Sequence, residues 1–382
     1  MGLRNLAGSG SLCSRFSSAL QLVYMAIHIN FTEADWQRIA RDWNAFWSGE
    51  LERPIVVLEI AESVPGTDTS QFTRWGLDTP IDTVIDNWQR ILEATHWLGD
   101  AYPKWWVNFG PGTVAAFLGS KVTWSPDTTW FWPLAGVASP KDIRPVYDAG
   151  NPWWRRVKEM TARAVERWGD RVLVGTTDLG GNLDILAGLR GSERLLLDLT
   201  DEPDEVARLV GQITPLWLRY YDELFTLTSA AGRGNACWGP CWSPGKGYML
   251  QCDFSYMISP AMFERFVMPD LRACCDYLDY GFYHLDGKGE IAHLEQLLSI
   301  KRLRGIQWQP GDGQPMADSW LPLLRRIRAG GKLCQVYVDC KGALAIQREL
   351  GGRGFIFHIV DERLTPDEGR AFLAELHQAR RP

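Results

Sequence analysis

The chain contains no run of eighteen apolar residues, which excludes a membrane-spanning helix. It also has no basic block and carries a net charge of −6, so it lacks the electrostatic footprint needed to grip a nucleic acid. Its eight cysteines are scattered, with neither zinc-finger nor Cys-x-x-Cys spacing. A chain of 382 residues can fold on its hydrophobic core without disulfide staples, so a reduced cytoplasmic protein is expected. No Gly-x-Gly-x-x-Gly follows the first strand-like run, and no bound nucleotide cofactor is expected.

What the sequence has in excess is tryptophan, nineteen of them. Trp buries a large apolar body yet keeps one N–H to satisfy, which suits both a core and a ligand wall. The first 24 residues, rich in Ser, Gly and Leu, read as a disordered stretch or a start placed too far upstream, and are set aside. Residues 25–382 then read as one domain. Trp36, Ile39, Trp43 and Trp47 recur at helical spacing, with Thr32 as the expected cap and Asp35 in capping-box position. Eight strand-like runs follow, near 55–60, 104–108, 171–177, 235–254, 281–286, 304–309, 333–338 and 354–359. Helical stretches are expected at 81–98, 139–168, 192–229, 260–279, 290–299, 316–329, 341–350 and 366–379. Alternation of this kind predicts an α/β fold, a (β/α)8 TIM barrel with an N-terminal helical extension.

A barrel of this type carries its site at the carboxyl ends of the strands. Gly281-Phe-Tyr-His-Leu-Asp-Gly287 is an apolar run that delivers His284 and Asp286 two residues apart, and therefore to one side of the strand. His358 ends a similar run, Gly354-Phe-Ile-Phe-His358. Two His and a carboxylate can hold a divalent ion while leaving a position open, so His284, Asp286 and His358 are the candidate metal ligands. The other strand ends offer Glu59, Asn108, Asp178, Trp238, Asp253, Gln307, Gln309, Tyr337 and Asp339, and no Lys or Arg. Such an acidic, aromatic mouth suits a methylated ammonium through cation–π attraction, or a sugar or planar group stacked on Trp. Trp106, Trp130 and Trp238 are the expected walls. Cys237 is a rival thiolate ligand, while His293 and Glu290 are expected on the solvated face of a helix.

Several segments in order resemble the uroporphyrinogen decarboxylase superfamily. Asn108-Phe-Gly-Pro-Gly-Thr-Val-Ala-Ala-Phe-Leu-Gly119 is similar to the second-strand turn of its divergent bacterial members. Asp178-Leu-Gly-Gly-Asn-Leu-Asp-Ile-Leu-Ala-Gly188 and Leu196-Leu-Asp-Leu-Thr-Asp-Glu-Pro-Asp-Glu205 resemble its third-strand region. Ser259-Pro-Ala-Met-Phe-Glu-Arg-Phe-Val-Met-Pro269 is similar to its SPxMFExFxxP helix start, and Tyr283-His-Leu-Asp-Gly287 stands where it has H-x-C-G or H-x-D-G.

The resemblance spans roughly residues 50–380 and implies the same barrel. It also implies one of two chemistries, decarboxylation in porphyrin metabolism or zinc-dependent methyl transfer between a corrinoid protein and a thiol. The decarboxylase carries an Arg-rich motif after its first strand. Here Ala61 through Arg74 holds a single Arg, too little for eight substrate carboxylates. In the methyltransferase pattern His284 matches the His, Asp286 replaces the first Cys, and His358 lies near the last ligand. A His/His/Asp set is harder than a thiolate set, so zinc is the expected ion with other divalent metals open.

The expected enzyme is thus methyltransferase-like, with a small-molecule substrate, a corrinoid protein as partner and a homodimer as an open alternative. Asp178, Asp286 and Glu59 would act in catalysis, with Trp106, Trp130, Trp238, Asn108, Gln309 and Tyr337 binding substrate. The rivals are a metal-free carboxy-lyase, a carbohydrate-active barrel using Glu59 and Asp286, and a non-catalytic scaffold.

Overall fold

The computed structural model describes residues 26–69, 75–125, 128–361 and 364–379. The leading 24 residues set aside above lie outside them. Among the described residues eleven strands form: β1 Ile55–Ala61, β2 Thr95–Gly99, β3 Lys104–Trp106, β4 Lys121–Trp124, β5 Thr129–Trp132, β6 Leu173–Gly175, β7 Gly247–Leu250, β8 Tyr280–Asp286, β9 Gly305–Gln309, β10 Leu333–Val338 and β11 Phe355–Ile359. Six of them run parallel in the order β1-β11-β10-β9-β8-β7, and β2 adds antiparallel to the other edge of β1. β3 and β6 form a separate parallel pair, linked onward by a single bridge between Thr176 and Cys237. The fold is therefore mixed α/β around a mainly parallel sheet. Among the described residues, no helix is long and apolar enough to cross a membrane.

Each of the eight strand-like runs contains an observed strand, and three further strands were not expected. β2 falls inside the stretch read as helix 81–98. The helix stops at Glu93, and Thr95–Gly99 instead pairs with β1, covering a sheet edge that would otherwise expose its backbone groups. β4 and β5 form an antiparallel hairpin between β3 and the next long helix. That helix begins only at Pro152, capped by Asn151, not at 139. Pro145 and Pro152 interrupt the stretch, since each lacks an N–H and biases the preceding residue toward extended backbone. Asn182–Arg190 forms a helix that the sequence reading left out.

The first helix, Glu33–Ser48, closes the amino-terminal side. Thr32 and Asp35 form the expected capping box, and Gly49 ends the helix at φ 76°. Trp36, Ile39, Trp43 and Trp47 are all buried. Trp47 packs edge-on against Tyr280 and Phe282 at the start of β8 and donates its indole N–H to the Trp242 carbonyl at 2.8 Å. This helix seals the end of the sheet opposite the strand termini that carry the chemistry.

Candidate functional site

Parallel register lines up the interior side chains. His284 on β8 sits beside Gln307 on β9, which sits beside Gln335 on β10, while Tyr337 sits beside His358 on β11. Because alternate residues share a face, Tyr283 and Leu285 turn away and are fully buried, leaving His284 and Asp286 on the inner side. At the carboxyl ends lies a cavity of about 480 Å³. Nine of the residues singled out in the sequence line it: Glu59, Trp106, Asn108, Asp178, Trp238, Asp253, His284, Tyr337 and His358. Trp105, next to Trp106 on β3, also borders the cavity while its ring packs edge-on against Trp168.

The remaining candidates fall elsewhere. Gln309 lines a neighbouring cavity of about 360 Å³, shared with Tyr337 and Val360. Trp130 lies outside both cavities, on the β4–β5 hairpin, and is 55% exposed. The hairpin, invisible to the sequence reading, carries it away from the expected wall.

The metal candidates divide. Nε2 of His284 lies 3.9 Å from a carboxylate oxygen of Asp286. With Asp253 they form a group whose ligand atoms all lie within 4.8 Å of one another, the one group of three or more such side chains found among the described residues. Two ligand bonds of about 2.0–2.2 Å span at most about 4.4 Å, a limit the 3.9 Å His284–Asp286 pair meets and the 4.8 Å bound of the whole group slightly exceeds. His358 does not join it. Two strands, β9 and β10, separate it from His284, and neighbouring strands stand about 4.8 Å apart. The third member of the group is instead Asp253, just beyond β7, two residues past the cavity-lining Gln251.

Local structure explains why these three meet. Asp184 accepts hydrogen bonds from the backbone N–H groups of Asp253 at 3.1 Å and Phe254 at 2.7 Å, pinning the turn after β7. Gly287, at φ 77°, and Gly289 lie against the Tyr256 ring, where an added Cβ at Gly289 would meet ring carbon at 2.6 Å. His284 donates its Nδ1 proton to Gln307 Oε1. That fixes the tautomer and leaves the Nε2 lone pair facing the carboxylates, as a metal-ligating imidazole requires. Burial lowers the His284 pKa, against the opposing pull of Asp286 and the Gln307 bond. The ring is accordingly held neutral, the form that ligates.

Glu290 and His293 are not on a solvated face. Both are fully buried, because Lys288–His293 forms a 3-10 turn that tucks under the end of β8. Glu290 accepts from the Asp286 N–H at 3.2 Å, and His293 lies flat on Phe263 with a ring nitrogen 3.0 Å from the Ser255 carbonyl. The expectation that no cation reaches the cavity is also corrected. Lys104, at the start of β3, lines it and donates to the carbonyls of Gly239 at 2.7 Å and Cys237 at 3.5 Å. Cys237 itself is buried, its thiol pKa raised by burial, and it stands outside the metal group.

The acids here hold protons unusually well. Burial raises Asp178 to about 7, opposed by the N–H groups of Gly112 and Gly180. Asp253 also rises to about 7. Desolvation at the cavity wall is the leading cause although the side chain keeps substantial solvent exposure, and repulsion from Asp286 and Asp178 adds to it. Burial and, next, the charge of Lys104 bring His358 down to about 3. A carboxyl raised in the folded state stabilises folding at low pH, and that contribution is lost as pH climbs toward the folded pKa. Asp178→Asn keeps an acceptor oxygen but removes the titration. The decline in melting temperature of metal-free protein between about pH 4 and 7 should be shallower in this variant; an unchanged slope would contradict the assignment.

No protein-family model matches the chain, and no curated protein sequence does either. Among solved structures it is similar to a methyltransferase from Methanosarcina mazei, with a TM-score of 0.56 and 13% identity. The match covers 89% of this chain and 98% of that one. At this identity the likeness is one of fold.

Proposed function

We propose that this chain is a metal-dependent methyltransferase with a uroporphyrinogen decarboxylase-like (β/α)8 barrel. The observation that carries the reading is the convergence of Asp253, His284 and Asp286 on one point, with the imidazole tautomer set by Gln307. Closure of the barrel is supported by the cavity, whose wall draws on β1, β3, β8, β10 and β11 and on residues following β6 and β7. The methyltransferase name of the structural neighbour and the ordered motifs point the same way.

A divalent ion at this group, zinc by expectation, would supply acidification of a bound thiol or water. The chain's own residues do the rest. Asp253 and Asp286 provide hard oxygen ligands, Gln307 orients His284, and Trp238 packs edge-on against the imidazole at 5.4 Å. Asp178 accepts from Gly180 and Gly112 and so ties two cavity-side turns together. A decarboxylase acting on a polycarboxylate is disfavoured, because Lys104, the one cation among the described residues that line the cavity, is engaged with two carbonyls.

The methyl donor in this reading is carried by a separate corrinoid protein, since the chain has no cobalamin-binding Asp-x-His-x-x-Gly. The β4–β5 hairpin offers it apolar surface through Trp130 and Trp132, 55% and 52% exposed. The hairpin leans on the cavity rim, where Gly110, beside cavity-lining Pro111, lies against Thr129.

The test is consumption of methylcobalamin with a thiol acceptor, followed by absorbance. Turnover should require added zinc and be lost in His284→Ala. Equal turnover by the metal-free enzyme, or loss of carboxylates from uroporphyrinogen, would contradict the proposal.

A further inference from the structure

We propose that the cavity binds a methylated ammonium group, so that its small-molecule substrate, the methyl-accepting thiol, carries a quaternary or tertiary amine cation as its recognition group. The inference deepens the methyl-transfer reading and rests on it for the fate of the bound group. Its basis is the polarity of the wall. Glu59, Asp178 and Asp253 contribute carboxyl groups, while the Lys104 ammonium is turned onto the carbonyls of Gly239 and Cys237. Among the described residues lining the cavity, an anionic substrate would therefore meet three acids and a single cation whose N–H donors are turned onto backbone carbonyls.

The second observation is independent of the acids. Gln251 lines the cavity, is only 5% exposed, and its Oε1 has no hydrogen-bond partner. A buried amide oxygen left without a donor is costly, so a native site retains one where a ligand completes it. The missing partner is electropositive, whether an N–H or a polarised N-methyl group. Trp106 and Trp238 border the same space, and aromatic rings draw cations through their quadrupole. Acceptor oxygens and aromatic rings together select a soft cation. A volume of about 480 Å³ leaves room for one the size of choline.

Titration calorimetry on the full chain, without metal and with zinc, tests this with three probes matched in size. They are choline, its uncharged carbon isostere 3,3-dimethylbutan-1-ol, and the anion isethionate. Choline should bind about tenfold more tightly than the isostere, and isethionate more weakly than both on the metal-free protein. Trp238→Leu should erase the preference for choline, Trp238→Phe should retain it, and Gln251→Leu should weaken choline binding. Equal binding of choline and the isostere, tighter binding of isethionate to metal-free protein, or a preference unchanged in Trp238→Leu would overturn the proposal. Zinc content of the same samples reports separately on the methyl-transfer reading. Choline preference without zinc uptake removes that reading alone, and zinc uptake without choline preference removes this one alone.

Discussion

Asp253→Ala is expected to cost the protein most of its affinity for zinc, and Gln307→Leu to weaken it by about 10–100-fold. The two losses have different origins. Asp253 supplies an oxygen to the group itself, so its removal leaves two ligands where three converge. Gln307 touches no ion. It accepts the Nδ1 proton of His284, and without that acceptor the imidazole is free to rotate or to place its proton on Nε2, where it blocks ligation. Gln307 is fully buried, and its amide also donates to the Tyr337 hydroxyl at 3.4 Å, so melting curves of the metal-free variant must be taken alongside. Competition titration against a chromophoric chelator reads both constants. A Gln307→Leu variant that folds normally and binds zinc as tightly as the parent would refute the positioning role. His358→Ala, by contrast, should leave zinc affinity near that of the parent, since His358 stands outside the group.

The second large effect concerns stability. Arg190 and Asp198 are both 6% exposed and pair through two hydrogen bonds, Nε to Oδ2 at 2.6 Å and Nη2 to Oδ1 at 3.2 Å. The pair joins helix Asn182–Arg190 to helix Ser192–Asp201, and the first of these carries Asp184, which pins the turn bearing Asp253. Asp198→Ala strands a buried guanidinium, and breaking such a pair costs about 3–5 kcal/mol. The double variant Arg190→Met/Asp198→Leu removes both charges and should recover most of that loss, because the desolvation of two ions disappears with their attraction. Urea unfolding of the three proteins decides it. A single variant within about 1 kcal/mol of the parent would mean that the pair is relaxed into solvent.

How much of this was legible beforehand depends on the range of the contact involved. Thr32 and Asp35 signalled their helix because a capping box is a three-residue affair, and His284 with Asp286 signalled a shared face because strands repeat every two residues. Asp253 was visible as a strand end but not as a ligand. Its place depends on Asp184, almost seventy residues earlier, accepting from its backbone. His358 misled for the converse reason: an equivalent position at a strand end says nothing about how many strands lie between. Glu290 and His293 were misplaced because a 3-10 turn reverses the face that helical spacing assigns. Lys104 escaped notice because it begins its strand, yet a four-carbon stem carries its ammonium across to the Cys237–Gly239 loop. Trp130 followed a hairpin, β4–β5, for which the sequence reading had assigned no strand.

The most direct test is X-ray absorption at the zinc edge on zinc-loaded protein free of added thiol. Stoichiometric zinc with a first shell of nitrogen and oxygen alone, near 2.0–2.1 Å, and with the imidazole signature lost in His284→Ala, is the predicted result. Sulfur at about 2.3 Å, or failure to retain zinc at all, would contradict the claim that Asp253, His284 and Asp286 hold the ion.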